Sequence, residues 1–135
     1  MLCPYDYAIV RVVPRVERQE FINAGVIVSC QPRDFLAARI ELDEARLLAL
    51  AADIDLDAVR ANLAVIPLIC RGGAEAGPIG RLPLRERFHW LVAPRSTVIQ
   101  TSAVHLGRGT DPQAALADLM DKMVRRPPVR PGRDG

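Results

Sequence analysis

The chain has 135 residues, half of them hydrophobic and a quarter charged, with a formal net charge of +2; this composition suits one folded domain and excludes a disordered polyelectrolyte. No apolar run reaches the ~20 residues that cross a bilayer, and the opening Met1-Leu-Cys-Pro-Tyr-Asp6 lacks a basic start and an apolar stretch, so no membrane association and a cytoplasmic location are expected. The charge is uneven: residues 125–135 hold four arginines against Asp134, which leaves residues 1–124 near −1 and makes a poor match for a DNA-binding face.

Tyr5–Val13 predicts a strand, stopped by Pro14, and Phe21–Cys30 a second one carrying Val26-Ile-Val28; the short polar link between them predicts an N-terminal β-hairpin. Gly25 marks a bulge or a close backbone approach. A third strand is predicted over Phe35–Glu41. Asp43 then caps a helix holding Leu47, Leu48 and Leu50, and a second helix begins at Asp55 with Leu56, Val59, Leu63 and Ile66 on one stripe. Pro67 must kink or end that helix. Arg71-Gly-Gly73 to Gly80 reads as a loop. Leu84, Phe88 and Leu91 share a helical face, with Arg85, Glu86 and His89 on another. Val98–Gln100 and Ala103–Leu106 predict a returning strand broken at Ser102. The last helix is capped by Asp111 with Pro112 in its first turn, and Leu116, Leu119, Met120 and Met123 line one side. The expected fold class is therefore α+β: a small, mainly antiparallel sheet with helices packed on one face. Residues 1–124 form the single domain and 125–135 a disordered basic tail, whose arginines offer at most weak nucleic-acid contact.

Two polar segments stand among apolar residues, where charge is costly unless paired or used for binding. The first contains Arg11, Arg15, Glu17, Glu20 and Asn23. If the hairpin forms, Arg11 and Asn23 lie close, and planar guanidinium donors beside an amide suit a carboxylate or phosphate. The structural alternative is that Arg11 or Arg15 pairs with Glu17 or Glu20 and fastens the turn. The second segment holds His89, Trp90, Arg95, Ser96 and Thr97, an arginine and two hydroxyls after a proline break that can cradle an anion; the alternative leaves the hydroxyls bonding backbone in a turn. Trp90, as a lone tryptophan, is expected in the core. A joint anion site would comprise Arg11, Arg15, Glu20, Asn23, His89, Arg95, Ser96 and Thr97, with Glu20 or His89 for acid–base work and Asn23 for orientation.

Other chemistry finds little support. The chain lacks Gly-x-x-x-x-Gly-Lys-Ser/Thr and Gly-x-Ser-x-Gly, and Asp53-Ile-Asp-Leu-Asp57 lacks the glycine and closing glutamate of a calcium loop, so no metal and no cofactor are expected. Cys3, Cys30 and Cys70 are widely spaced, and the latter two sit in apolar surroundings as core thiols.

Tyr5-Asp-Tyr-Ala-Ile-Val-Arg-Val-Val-Pro-Arg-Val-Glu-Arg-Gln-Glu-Phe-Ile-Asn-Ala-Gly-Val-Ile, Gly77-Pro-Ile-Gly, Glu86-Arg-Phe-His-Trp-Leu and Pro94-Arg-Ser-Thr-Val-Ile-Gln together resemble the bacterial family filed as domain of unknown function 3037, over about residues 5–124. The resemblance implies no established activity. It does imply company: family members are often encoded beside kinases resembling the HipA toxin family. Two functions are therefore expected alternatives, an accessory domain that binds a partner such as a HipA-like kinase, and a binding module or small enzyme for an anionic ligand such as a nucleotide or phosphodiester.

Overall fold

In a computed structural model, which describes residues 1–95 and 97–125, the chain opens on the expected hairpin. Strand β1 (Cys3–Val12) pairs antiparallel with β2 (Ile22–Cys30) across a 3-10 turn at Val16–Arg18, and β3 (Phe35–Ile40) extends the meander on the other side of β2. The returning segment splits into β4 (Ile99–Thr101) and β5 (His105–Gly109), both antiparallel to β1: β4 lies against Val10–Val12 and β5 against Cys3–Tyr7. Their break falls at Ser102, as the sequence predicts. The Ser102 backbone N–H donates to Ile9 O at 2.8 Å, and its buried Oγ accepts from Ile9 N at 2.9 Å. A hydroxyl thus stands where a ladder carbonyl would be, and β1 loses no bond at the break.

Helices α1 (Glu44–Leu50), α2 (Leu56–Arg71) and α4 (Pro112–Met123) begin on Asp43, Asp55 and Asp111, whose carboxylates accept from the N–H groups of Arg46, Ala58 and Gln113 at 3.0–3.1 Å. Helix α3 (Leu84–Val92) follows Pro83. Of the two outcomes open to Pro67, termination does not occur, since α2 runs on to Arg71. The predicted loop after it is wound into 3-10 turns over Ala74–Arg81, interrupted at Gly77, where φ is +69°.

The α+β class, the antiparallel sheet and the opening hairpin match the sequence expectation. The helices differ from it, because they are divided between both faces of the sheet. Leu47, Leu63, Ile69, Phe88 and Leu91 from α1–α3 pack with Val10, Val12 and Ile27 on one face, while Leu116, Leu119 and Met120 of α4 pack with Ile9, Val26 and Val28 on the other. The reason lies in β1 and β2 themselves: Ala8-Ile-Val10 and Val26-Ile-Val28 are apolar at consecutive positions, so both faces must be covered. Met123, placed by periodicity with the buried stripe of α4, is 39% exposed at its end. No helix among the described residues is long and apolar enough to cross a membrane. The tail beyond Arg125 lies outside the described residues; Arg125 itself is held by Glu41 and Asp121.

Candidate functional site

The hairpin carries a bulge that sets the site. Val10 pairs with Gly25 and Arg11 with Asn23, which leaves Ala24 as the extra residue on β2. A Cβ on Gly25 would lie 2.6 Å from both Arg39 O and Ile40 Cδ1, so only glycine lets β3 approach here. With this register Arg11 faces Asn23 on one side and Gln100 of β4 on the other. Its guanidinium lies 4.1 Å from the centre of the Phe21 ring, and it forms no ion pair with any described residue. Arg11 Nε is buried without an acceptor; across the strand, Asn23 donates to Met123 O at 2.9 Å, and its own Oδ1 is buried without a donor. An orphan donor and an orphan acceptor thus sit on facing residues, and each such group costs about 1–3 kcal/mol.

Arg95 reaches the same place from the end of α3. It donates to Leu91 O at 3.0 Å and Trp90 O at 2.5 Å, capping the helix carbonyls, and it stacks 4.5 Å from the Trp90 ring centre. Arg11, Phe21, Arg95 and Gln100 line one recess of about 270 Å³. Arg95 and Gln100 also border a larger, mostly apolar groove of about 480 Å³, walled by Val65 and Ile69 of α2, Trp90 of α3 and Ile99 of β4. The two hollows are neighbours around the end of β4.

The other residues predicted for a joint anion site are placed elsewhere or are already engaged. Arg15 pairs with exposed Asp53 at 3.2 Å. Glu20 is bound to Arg18, whose hydrogen bond holds its carboxyl below the usual carboxylate range and leaves it a weak base. Both pairings differ from the Arg11 or Arg15 pairing with Glu17 or Glu20 that the turn suggested, because Asp53 is brought in by the tertiary fold and Arg18 lies only two residues from Glu20. Asn23 opens on a third hollow, beside Arg46 and Met123. His89 is exposed on α3 and lines none of these three hollows. Thr97 borders the apolar groove and donates its hydroxyl to Ile99 O at 2.9 Å. Ser96 lies outside the described residues. The structure therefore brings Arg11 and Arg95 together, without the acid–base group that Glu20 or His89 was expected to supply.

Trp90 is the main residue that sequence reasoning misplaced. It is 40% exposed, not core. The stripe Leu84, Phe88, Leu91 already contained the signal, since position 90 falls off that face. Phe21, 43% exposed under Arg11, and Gln100 were missed as well.

Cys30 and Cys70 are buried as expected, and burial pushes the Cys70 thiol up to about 12. Cys3 is only partly buried, with its Sγ accepting from Arg33 Nε at 3.2 Å. At pH 8 a colorimetric thiol reagent should titrate Cys3 rapidly in the folded protein, and all three cysteines only after denaturation. Rapid reaction of Cys70 in the native state would contradict this packing.

Among the described residues no group of three His, Cys, Asp or Glu side chains is placed to hold a metal ion. Comparison with curated proteins and with solved structures returns no match. The alignment of residues 7–124 with a family model, covering every strand and helix above but the first residues of β1, shows that the chain belongs to the family described as Protein of unknown function (DUF3037).

Proposed function

We propose that this protein is an accessory domain that binds a partner protein through the groove between α2, α3 and β4. The observation that carries the reading is Trp90, a large aromatic left 40% exposed at the edge of an apolar groove and stacked by Arg95. Tryptophan and arginine are the residues on which protein interfaces concentrate their binding energy, and an apolar centre with a polar rim is their usual form. The company kept by the family makes a HipA-like kinase the partner to try first.

A second reading, a site for a small anionic ligand, draws on Arg11, whose guanidinium forms no ion pair with any described residue and whose Nε is buried without an acceptor. It is weaker because Arg95 is already engaged with helix carbonyls and because Glu20 and His89 stand apart from the recess.

Co-expression with a HipA-like kinase from the same genome tests the reading. The two proteins should co-elute on size exclusion, and Trp90→Ala should weaken the complex by roughly 30-fold or more, in keeping with about 2 kcal/mol for a hot-spot aromatic. Because the ring is at the surface, the melting temperature of that variant should stay within a few degrees of the wild type. Elution of the chain alone, or a complex indifferent to Trp90→Ala, would sink the reading.

A further inference from the structure

We infer that the partner segment is an extended strand that adds to the outer edge of β4, with acidic side chains on one face alternating with apolar side chains on the other. This rests on the partner-binding reading and deepens it.

Strand β4 ends the path β3-β2-β1-β4, so among the described residues its far side carries no strand. The direction of its peptide groups follows from the bonds at its two ends. Val98 O accepts from Val13 N at 2.7 Å, and Ser102 N donates to Ile9 O at 2.8 Å. Residues 98, 100 and 102 therefore turn their backbone groups toward β1, and antiparallel alternation turns those of Ile99 and Thr101 outward. Ile99 O is occupied by the Thr97 hydroxyl. The Ile99 N–H and both backbone groups of Thr101 have no hydrogen-bond partner among the described residues. They form a short row of donors and acceptors of the kind that recruits a strand.

The two faces beside that row have opposite chemistry. Gln100 pairs with Arg11 and shares its face, where the recess holds Arg11, Phe21 and Arg95. Ile99 and Thr101 pair with Val12 and Val10, whose side chains join the core of α2 and α3, and there lies the groove of Val65 and Trp90. Side chains of an added strand alternate between faces with period two. Every second one lies on the face of Arg11, whose guanidinium forms no ion pair with any described residue and which the side chain opposite Gln100 approaches, and those between face an apolar wall. Charge complementarity selects glutamate or aspartate for the first set; burial selects valine, isoleucine or leucine for the second.

Trp90 is the only tryptophan, so its emission reports on this site alone. Three probe peptides separate the possibilities: acetyl-Glu-Val-Glu-Val-Glu-Val-amide, the block isomer acetyl-Glu-Glu-Glu-Val-Val-Val-amide, and acetyl-Gln-Val-Gln-Val-Gln-Val-amide. The alternating acidic peptide should bind at least ten-fold more tightly than either of the others. Arg11→Gln should abolish its advantage over the glutamine peptide. Because Arg11 is partly buried, a second variant avoids the question of folding: Thr101→Pro removes an outward N–H and no bond to β1, and proline is tolerated on sheet edges. It should abolish peptide binding while leaving the melting temperature near that of the wild type.

Equal affinity for the alternating and block peptides, normal binding by Thr101→Pro, no response to any of the three peptides, or a response to inorganic phosphate or ADP at lower concentration than to the peptide would each overturn the inference. If any of these results accompanies intact co-elution of the kinase, strand addition is wrong and the partner reading stands. If co-elution fails, the partner reading fails on its own test.

Discussion

Arg87→Ala should destabilise the protein by about 3–4 kcal/mol in denaturant unfolding, a sizeable part of the about 5–15 kcal/mol that holds a small domain together. Arg87 stands on α3 and ties three backbone carbonyls together: Nε donates to Leu82 O at 2.9 Å, and one terminal nitrogen donates to Ile69 O at 2.9 Å and Cys70 O at 2.6 Å. The latter two belong to the last turn of α2, where, among the described residues, Ile69 O accepts otherwise only from Gly72 N–H at 3.1 Å and where a cation also meets the negative end of the helix. The turn beyond is shaped around the same group. Gly72 has φ of +76°, and a Cβ there would come within 3.0 Å of the guanidinium. Lysine cannot reproduce a planar fork that spans three acceptors, so Arg87→Lys should recover less than half of the loss. Since Arg87 fixes α3 against α2, and these helices wall the groove beside Trp90, the alanine variant should also lose partner binding. A loss below about 1 kcal/mol would mean that water satisfies these carbonyls equally well.

Gly25→Val should cost about 3 kcal/mol or more, by a different route. The glycine does not need a left-handed backbone; it needs the space. A side chain at this position would meet Arg39 O at 2.6 Å and Ile40 Cδ1 at 2.6 Å, and the backbone oxygen cannot swing away. Strand β3 would have to part from β2 at its Gly25–Ile40 end, and the bulge that sets Arg11 opposite Asn23 would be lost with it. Amide exchange in Arg39 and Ile40 should accelerate together with the drop in denaturant midpoint. Unchanged exchange there would show that β3 can adjust at little cost.

Much of this was legible because it is local. Asp43 and Asp111 read as caps and Asp55 as a helix start within a few residues of sequence, and each carboxylate accepts an N–H of its helix's first turn. The hairpin alone makes Arg11 and Asn23 neighbours, and Gly25 stands both beside the bulged Ala24 and at a close approach of β3. What stayed hidden depends on residues far apart in the chain. The partner of Arg15 is Asp53, thirty-eight positions away, and the acceptors of Arg87 come from a different helix. Periodicity within α3 or within the turn carries no trace of either.

Two misreadings had signals that a general expectation overrode. Lone tryptophans in small domains are usually buried, yet Trp90 falls off the stripe that correctly predicted Phe88 and Leu91 as core. Helices were expected on one face although Val26-Ile-Val28 is apolar at three successive positions, the pattern of a strand covered on both sides. The candidate site was half legible. Arg11 and Arg95 do share a recess, but Glu20 was already committed to Arg18 and His89 is not among the residues that line the shared hollow. The open edge of β4 could not be read at all, since it depends on which strand lies beside which.

The position of β1 bears on how the protein is made. Strand β1, which precedes the other described strands in chain order, occupies the interior of the sheet, with β2 on one flank and the later β4 and β5 on the other. A nascent chain that has emerged only as far as α3 can assemble the three-strand meander, but it holds the full length of β1 open along one side, through Ala8-Ile-Val10. Chains cut short before residue 99 should accordingly aggregate through that strand, and extending them through α4, which covers Ile9, Val26 and Val28 on the second face, should restore solubility.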